Sequence, residues 1–152
     1  MQRRVPSPRS SNDLFANRTF SRRDFEKAAA DLLRANDLKD DTYAMLWRYL
    51  ALGHMRQDGA AELSSKATRL TTKDWPYAVI DFYLGRRSLD EMRTAASNAN
   101  DNCESAFYAG EWQLLRGNKA GAKESLQIAA DTCPKTFVEY DGAISELRRL
   151  GQ

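Results

Sequence analysis

The stretch that decides the fold runs from Cys103 to Thr136 and reads CESAFYAGEWQLLRGNKAGAKESLQIAADTCPKT. Apolar residues recur at helical spacing on both sides of Gly117 and Asn118, which predicts two helices joined by a tight turn. Small residues stand where such helices would touch, at Gly110, Ala122 and Ala129. The sequence therefore predicts a closely packed antiparallel helical hairpin.

This segment resembles a tetratricopeptide (TPR) repeat. Its 34 residues match the period of that family. The family has small residues at places 8, 20 and 27, a turn at 15, a bulky apolar residue at 24 and proline at 32. Gly110, Ala122 and Ala129 match the small places, and Leu126 and Pro134 match the last two. The resemblance implies hairpins that stack on one another and bind proteins.

The rest of the chain predicts an all-α, TPR-like α-solenoid of about three helical hairpins with a C-terminal capping helix. Residues 1–12 read as a disordered basic tail, rich in proline and serine. The helical repeat domain covers residues 13–152. Its hairpins are expected at about 13–38, 42–72, 76–97 and 103–134, with the capping helix at 137–150.

Several helix boundaries carry capping signals. Asp41 is a good N-cap residue for the helix that follows it, and Gly85 suits the position just after a helix. Ser88 with Glu91, and Thr136 with Glu139, have the spacing of capping boxes. We expect a polar loop at 97–102. The last helix is expected to bury one apolar face and to expose a polar one. The buried face would carry Phe137, Tyr140, Ile144 and Leu147, and the exposed face Asp141, Ser145, Glu146 and Arg149.

Residues 24–152 also resemble the C-terminal half of the NlpI-type TPR lipoproteins of Gram-negative bacteria. The specific runs are 75–85, 103–134 and 137–150, including WPYAVIDFYLG and TFVEYDGAISELRRL. The resemblance implies a lipid-anchored periplasmic adaptor that recruits peptidoglycan hydrolases and a processing protease. The chain as written begins without an export signal or a lipobox cysteine, which predicts a cytoplasmic location. A true start further upstream would instead allow the periplasm.

Composition narrows the function. The net charge of +2 over 152 residues argues against nucleic acid as the main ligand. No apolar run is long enough to span a membrane. We expect a non-catalytic scaffold or adaptor that binds partner peptides or proteins, without a cofactor. The alternative is a cytoplasmic interaction protein whose Arg-rich N-terminus contacts an anionic partner.

Cys103 and Cys133 are the sharpest local feature. A hairpin places them side by side, close enough for a disulfide. They would be bridged in an oxidising compartment, or remain two small buried thiols in a reducing one. We expect no metal site, since two cysteines and the distant His54 do not supply four clustered ligands.

The sequence shows no catalytic motif. His54, the only histidine, is interpreted as a helix residue at the edge of a groove. Glu104 and Glu111 are interpreted as parts of a solvated face. An enzyme would need a polar cluster in a pocket, such as His54 beside a carboxylate.

By analogy with the family, places 2, 5, 9 and 12 of each first helix would line a peptide-binding groove. The alternative for each of these residues is packing between repeats. The residues concerned are Met45, Arg48, Leu52, Met55, Glu104, Phe107, Glu111 and Leu114. We also expect a homodimer through the N-terminal helix, because its apolar stripe of Phe25, Ala28 and Leu32 would be exposed unless residues 13–20 cover it.

Overall fold

The computed structural model describes residues 22–38 and 40–151, and within these ranges it contains helices and no strand. The all-α class predicted from the sequence is confirmed. The predicted tail at 1–12 and the segment at 13–20 lie outside the described residues. The helices are α1 (Arg22–Leu38), α2 (Thr42–His54), α3 (Ala60–Ala67), α4 (Tyr77–Tyr83), α5 (Leu89–Ala95), α6 (Ala99–Leu115), α7 (Lys119–Thr132) and α8 (Val138–Arg149).

Three of the capping signals act as the sequence predicts. The Asp41 carboxylate accepts the amides of Tyr43 and Ala44 at 2.8 and 3.2 Å, which satisfies two free donors at the start of α2. At the start of α5, Ser88 and Glu91 form both bonds of a capping box. Gly85 follows the end of α4 with φ of +77°, a conformation that favours glycine.

Two boundaries differ from the prediction. The prediction of a polar loop at 97–102 is wrong, because α6 begins at Ala99. The Asn98 side chain accepts the amide of Asp101 at 2.9 Å, so polar residues form a capped first turn there. Helix α3 ends at Ala67, before the 72 expected for its hairpin.

The prediction for the last helix needs two corrections. Phe137 is its N-cap residue and no side chain caps it, so the second capping box is absent. Glu139 instead accepts the Tyr108 hydroxyl at 2.9 Å. The buried face is also rotated: Ser145 and Glu146, expected in solvent, are buried. The reason is that α8 packs against both α6 and α7, which enclose more of its surface than one apolar stripe.

Helices α6 and α7 pack closely along the predicted small residues. Ala122, Leu126 and Ala129 are completely buried. A Cβ atom at Gly110 would lie 2.7 Å from Leu126 Cγ and 3.2 Å from the Leu126 backbone nitrogen. Glycine is therefore required where the two helices approach each other.

A disulfide between Cys103 and Cys133 closes the α6–α7 hairpin at the end opposite its turn, and the Cα atoms of the two cysteines are 5.1 Å apart. Cys103 lies in the buried part of α6, and Cys133 is the residue that follows the last turn of α7. The bridge fixes the start of one helix against the end of the other.

The order of contacts repeats along the chain. Helices α2 and α3, α4 and α5, and α6 and α7 pack as consecutive pairs. The first helix of each pair contacts the first helix of the next pair, α2 with α4 and α4 with α6, and α6 contacts α8. Helix α2 also contacts α6 directly. Each second helix also contacts the next first helix, α3 with α4, α5 with α6 and α7 with α8.

The apolar stripe of α1, on which the expected homodimer depended, is covered within one chain. Phe25, Ala28 and Leu32, which were expected to be uncovered, are 5%, 5% and 2% exposed within one chain. Helix α1 packs on α2, and the Phe25 ring stacks on that of His54 at 4.6 Å. The stripe is therefore not available to a second copy.

We predict that replacing both Cys103 and Cys133 with serine lowers the free energy of unfolding by about 3–4 kcal/mol. The chain-entropy model gives this value for a loop that closes over a sequence separation of 30 residues. Urea denaturation of the oxidised protein and the variant measures it. A reducing agent should destabilise the wild type alone, and equal stability of the two proteins would contradict the prediction.

We predict that Gly110→Ala destabilises the protein by about 1–3 kcal/mol, because the new methyl group overpacks against the root and backbone of Leu126. Gly53→Ala is the matched control: its Cβ would also meet a leucine at 2.7 Å, but at the far end of the Leu115 side chain. That side chain can rotate away, so the control should be nearly neutral. Denaturant unfolding compares the two, and equal effects would contradict the close approach at Gly110.

Candidate functional site

The structure places most of the predicted groove residues inside the protein. Six of them are buried, and they are exposed by 8% or less: Met45, Leu52, Met55, Glu104, Phe107 and Glu111. Packing between helices, the alternative considered from the sequence, describes where these side chains lie. Only Arg48 and Leu114 keep part of their surface exposed.

Arg48 forms hydrogen bonds and an ion pair within the protein. Its guanidinium pairs with the Glu62 carboxylate and donates to the Ala29 carbonyl oxygen at 2.6 Å. The hydrogen bond from Arg48 is the main reason why the pKa of Glu62 is lowered. One side chain of α2 thus holds α1 and α3 in place.

Four buried glutamates are the most unusual feature of the interior that the structure describes. Glu104 and Glu111 lie seven residues apart on α6, and Glu139 and Glu146 lie seven residues apart on α8. All four are at most 1% exposed. Charged residues are rarely this buried unless they are paired or hydrogen-bonded. We refer to these four residues as the buried carboxylates.

Glu104 and Glu139, the first buried glutamate of each helix, accept hydrogen bonds from aromatic side chains. Glu104 Oε1 accepts the Tyr43 hydroxyl at 2.8 Å and the Trp75 indole N–H at 2.9 Å. Glu139 accepts the Tyr108 hydroxyl at 2.9 Å. These bonds connect α6 to α2, to the segment before α4, and to α8, so they set the register among helices distant in sequence.

The other two carboxylates meet at His54, the last residue of α2. His54 Nε2 lies 3.1 Å from Glu111 Oε1 and 3.4 Å from Glu146 Oε2. Arg149, one turn further along α8, donates to Glu146 Oε1 at 2.6 Å. The Phe25 ring covers one face of the imidazole. We refer to His54, Glu111 and Glu146 as the His54 cluster.

Burial dominates the electrostatics of this cluster. It raises the pKa of Glu111, and together with the neighbouring Glu111 charge it raises the pKa of Glu146 to about 9. Burial lowers the pKa of His54. At neutral pH, Glu146 therefore keeps its proton and the imidazole is neutral.

A histidine beside a carboxylate is the arrangement that would favour an enzyme, and the structure brings one together. Both carboxylates are 0% exposed, and the His54 side chain is 8% exposed. A substrate has almost no access to these atoms in this conformation. Cys103 and Cys133 are joined in the disulfide, so neither offers a thiolate nucleophile.

The sequence predicted Glu139 in a capping box, Glu146 on an exposed face, and Glu104 and Glu111 on a solvated face, whereas all four are buried. One signal was present: Glu139 and Glu146 each lie 35 residues after Glu104 and Glu111, close to one repeat. The two pairs lie on α6 and α8, which contact each other. The spacing therefore gives a physical reason to expect a cluster.

One partly exposed aromatic surface lies near the turn between α6 and α7. The Arg116 guanidinium is 4.2 Å from the centre of the Trp112 ring, and that ring lies 4.9 Å from Phe82. Trp112 is half-buried and Arg116 is exposed. We refer to Trp112 and Arg116 as the Trp112 patch.

No family model matches the chain. Within the described ranges, no helix combines the length and the apolar character needed to cross a membrane.

We predict that the stability of the protein in the presence of a chelator falls as pH rises from about 7 to 9, and that Glu146→Gln reduces this fall. The folded state holds the Glu146 proton up to a pKa of about 9, whereas an unfolded glutamate loses it near 4.5. The folded state therefore binds more protons, and stability declines with pH by at most about 1.4 kcal/mol per unit for this group.

Urea denaturation at several pH values measures this decline. His54 contributes little to this decline, because burial lowers its pKa and keeps it neutral in the folded state, and an unfolded histidine with the ordinary pKa of 6.5 is mostly neutral above pH 7. Glu124→Gln on the exposed part of α7 is the control and should keep the wild-type profile. Parallel profiles for wild type and Glu146→Gln would contradict the assignment.

Proposed function

We propose that the protein is a non-catalytic scaffold that binds other proteins, built as a TPR-like stack of helical hairpins. The observation that carries the proposal is the repeated order of contacts, in which first helices pack in succession and each second helix packs on the next first helix. Stacked repeats are characteristic of extended protein-binding surfaces. The TPR-like small residues of 103–136 support the same architecture, because they lie at the contact between α6 and α7.

The disulfide supports a location in an oxidising compartment, since such bridges persist outside the reducing cytosol. This agrees with the cell-envelope adaptor role that the lipoprotein resemblance implies. A bridge at the root of the α6–α7 hairpin would keep the binding surface rigid before a partner arrives.

The predicted groove residues are mostly buried, so we assign the binding surface to the Trp112 patch. Tryptophan and arginine dominate the binding energy of many protein interfaces, particularly where they are partly desolvated and held in place. Trp112 contacts both Phe82 and Arg116. This end of α6 also includes Leu114, the one apolar groove residue that keeps exposed surface.

We predict that a photo-crosslinking amino acid at Lys119, which is exposed next to the patch, captures a discrete protein in the cells of origin. The same group at Thr94 on the exposed side of α5 should not capture that protein. The captured partner is then purified and titrated by calorimetry against wild type, Arg116→Glu and the control Arg93→Glu.

The proposal expects Arg116→Glu to weaken binding at least tenfold and Arg93→Glu to leave it unchanged. Both arginines are exposed, so neither substitution should affect folding. Equal affinities for all three proteins would mean that the partner binds outside the Trp112 patch. Failure to capture a discrete protein at either position would contradict the scaffold function.

A further inference from the structure

The His54 cluster has the geometry of a metal site. Its three side chains come from α2, α6 and α8, and one ligand atom from each lies within 4.8 Å of the other two. The two contacts to His54 Nε2 are 3.1 and 3.4 Å long. Ligands about 2.0–2.1 Å from a tetrahedral ion are separated by about 3.3 Å, so these distances need little adjustment.

A second observation concerns two buried carboxyl oxygens of the cluster. Among the residues that the structure describes, no donor of another side chain or of the backbone reaches Glu111 Oε2 or Glu146 Oε2, although both residues are completely buried, and the two carboxyl groups lie close enough to share a proton. Glu146 Oε2 faces the imidazole at 3.4 Å without forming a hydrogen bond to it. A buried carboxylate oxygen without a partner is costly, and a bound cation would remove that cost.

We propose that His54, Glu111 and Glu146 bind a divalent transition-metal ion of the Zn²⁺ type. One imidazole nitrogen with two carboxylate oxygens is a donor set suited to Zn²⁺ and its neighbours in the first row. Water would complete the coordination. The two carboxylates, once ionised, balance the charge of the ion.

The surroundings orient these ligands as outer groups of metal sites commonly do. Arg149 donates to Glu146 Oε1, which leaves Oε2 directed at the cluster. Phe25 stacks on the imidazole and fixes the plane of the ring. Tyr83 and Arg149 are the other ionisable groups that act on the cluster electrostatically.

The ion would stabilise the fold, because its three ligands belong to helices that are far apart in sequence. It would hold α2, α6 and α8 together at the C-terminal end of α2, where His54 lies. This inference is independent of the proposed function, since a scaffold can bind its partner with or without a metal. The competing account is a pair of carboxyl groups that share a proton beside a neutral histidine.

The test is calorimetric titration of Zn²⁺ into the tag-free, oxidised, chelator-stripped protein at pH 7. We expect one ion per chain at micromolar concentration. Glu146→Gln should weaken binding at least tenfold, because the amide matches the protonated carboxyl in shape but cannot supply the ligand charge. Glu124→Gln, on the exposed part of α7, should bind as wild type. Absence of saturable binding up to millimolar Zn²⁺, or equal binding by both variants, would overturn the proposal.

A second measurement keeps the test decisive if Glu146→Gln fails to fold. His54 is the only histidine of the chain, so any imidazole signal has a unique assignment. In wild-type protein loaded with Co²⁺, NMR should show a strongly shifted imidazole resonance, and visible absorption should show the bands of a low-coordinate site. Stoichiometric Co²⁺ binding with an unshifted His54 would place the ion elsewhere and overturn the proposal.

Discussion

The structure depends on the enclosure of α6. This helix packs against α2, α4, α5, α7 and α8, and nine consecutive residues from Cys103 to Glu111 are buried. A helix surrounded in this way has no solvated face. Every side chain in that stretch must therefore either fit closely against a neighbour or have its polar atoms satisfied inside the protein.

Both requirements are visible along α6. Gly110 provides the close approach to α7, and Cys103 is bonded covalently to the end of that helix. Glu104 accepts hydrogen bonds from Tyr43 and Trp75, which specify where the preceding helices dock. Apolar side chains alone would favour many similar packings. The directional bonds to the buried carboxylates select one register among them.

The sequence predicted what depends on local chemistry. The caps at Asp41 and Ser88 and the close contact at Gly110 follow from residues that are near one another in the chain. The sequence failed where a residue's surroundings depend on distant helices. The periodicity of α8 indicated a single apolar face, yet α6 and α7 together also cover Ser145 and Glu146.

The candidate site shows the same division. Glu111 was assigned to a solvated face because charge normally indicates exposure. Its burial results from α2 and α8, which bring His54 and Glu146 to it from 57 residues before and 35 residues after in the chain. Burial then shifts the pKa values in this cluster away from their ordinary range. No local pattern specifies such a meeting; the one sequence signal for it is that the glutamate pair recurs 35 residues later in the chain.

Native-state hydrogen exchange is the most direct measurement of the enclosure of α6. Amides from Phe107 to Gly110 should exchange only through global unfolding, with a free energy equal to that from denaturant unfolding. Amides of α5, where Met92 is the one buried residue, should exchange at a lower free energy. Exchange of the α6 amides as fast as those of α5 would contradict the account, because α6 would then not be the element on which the other helices pack.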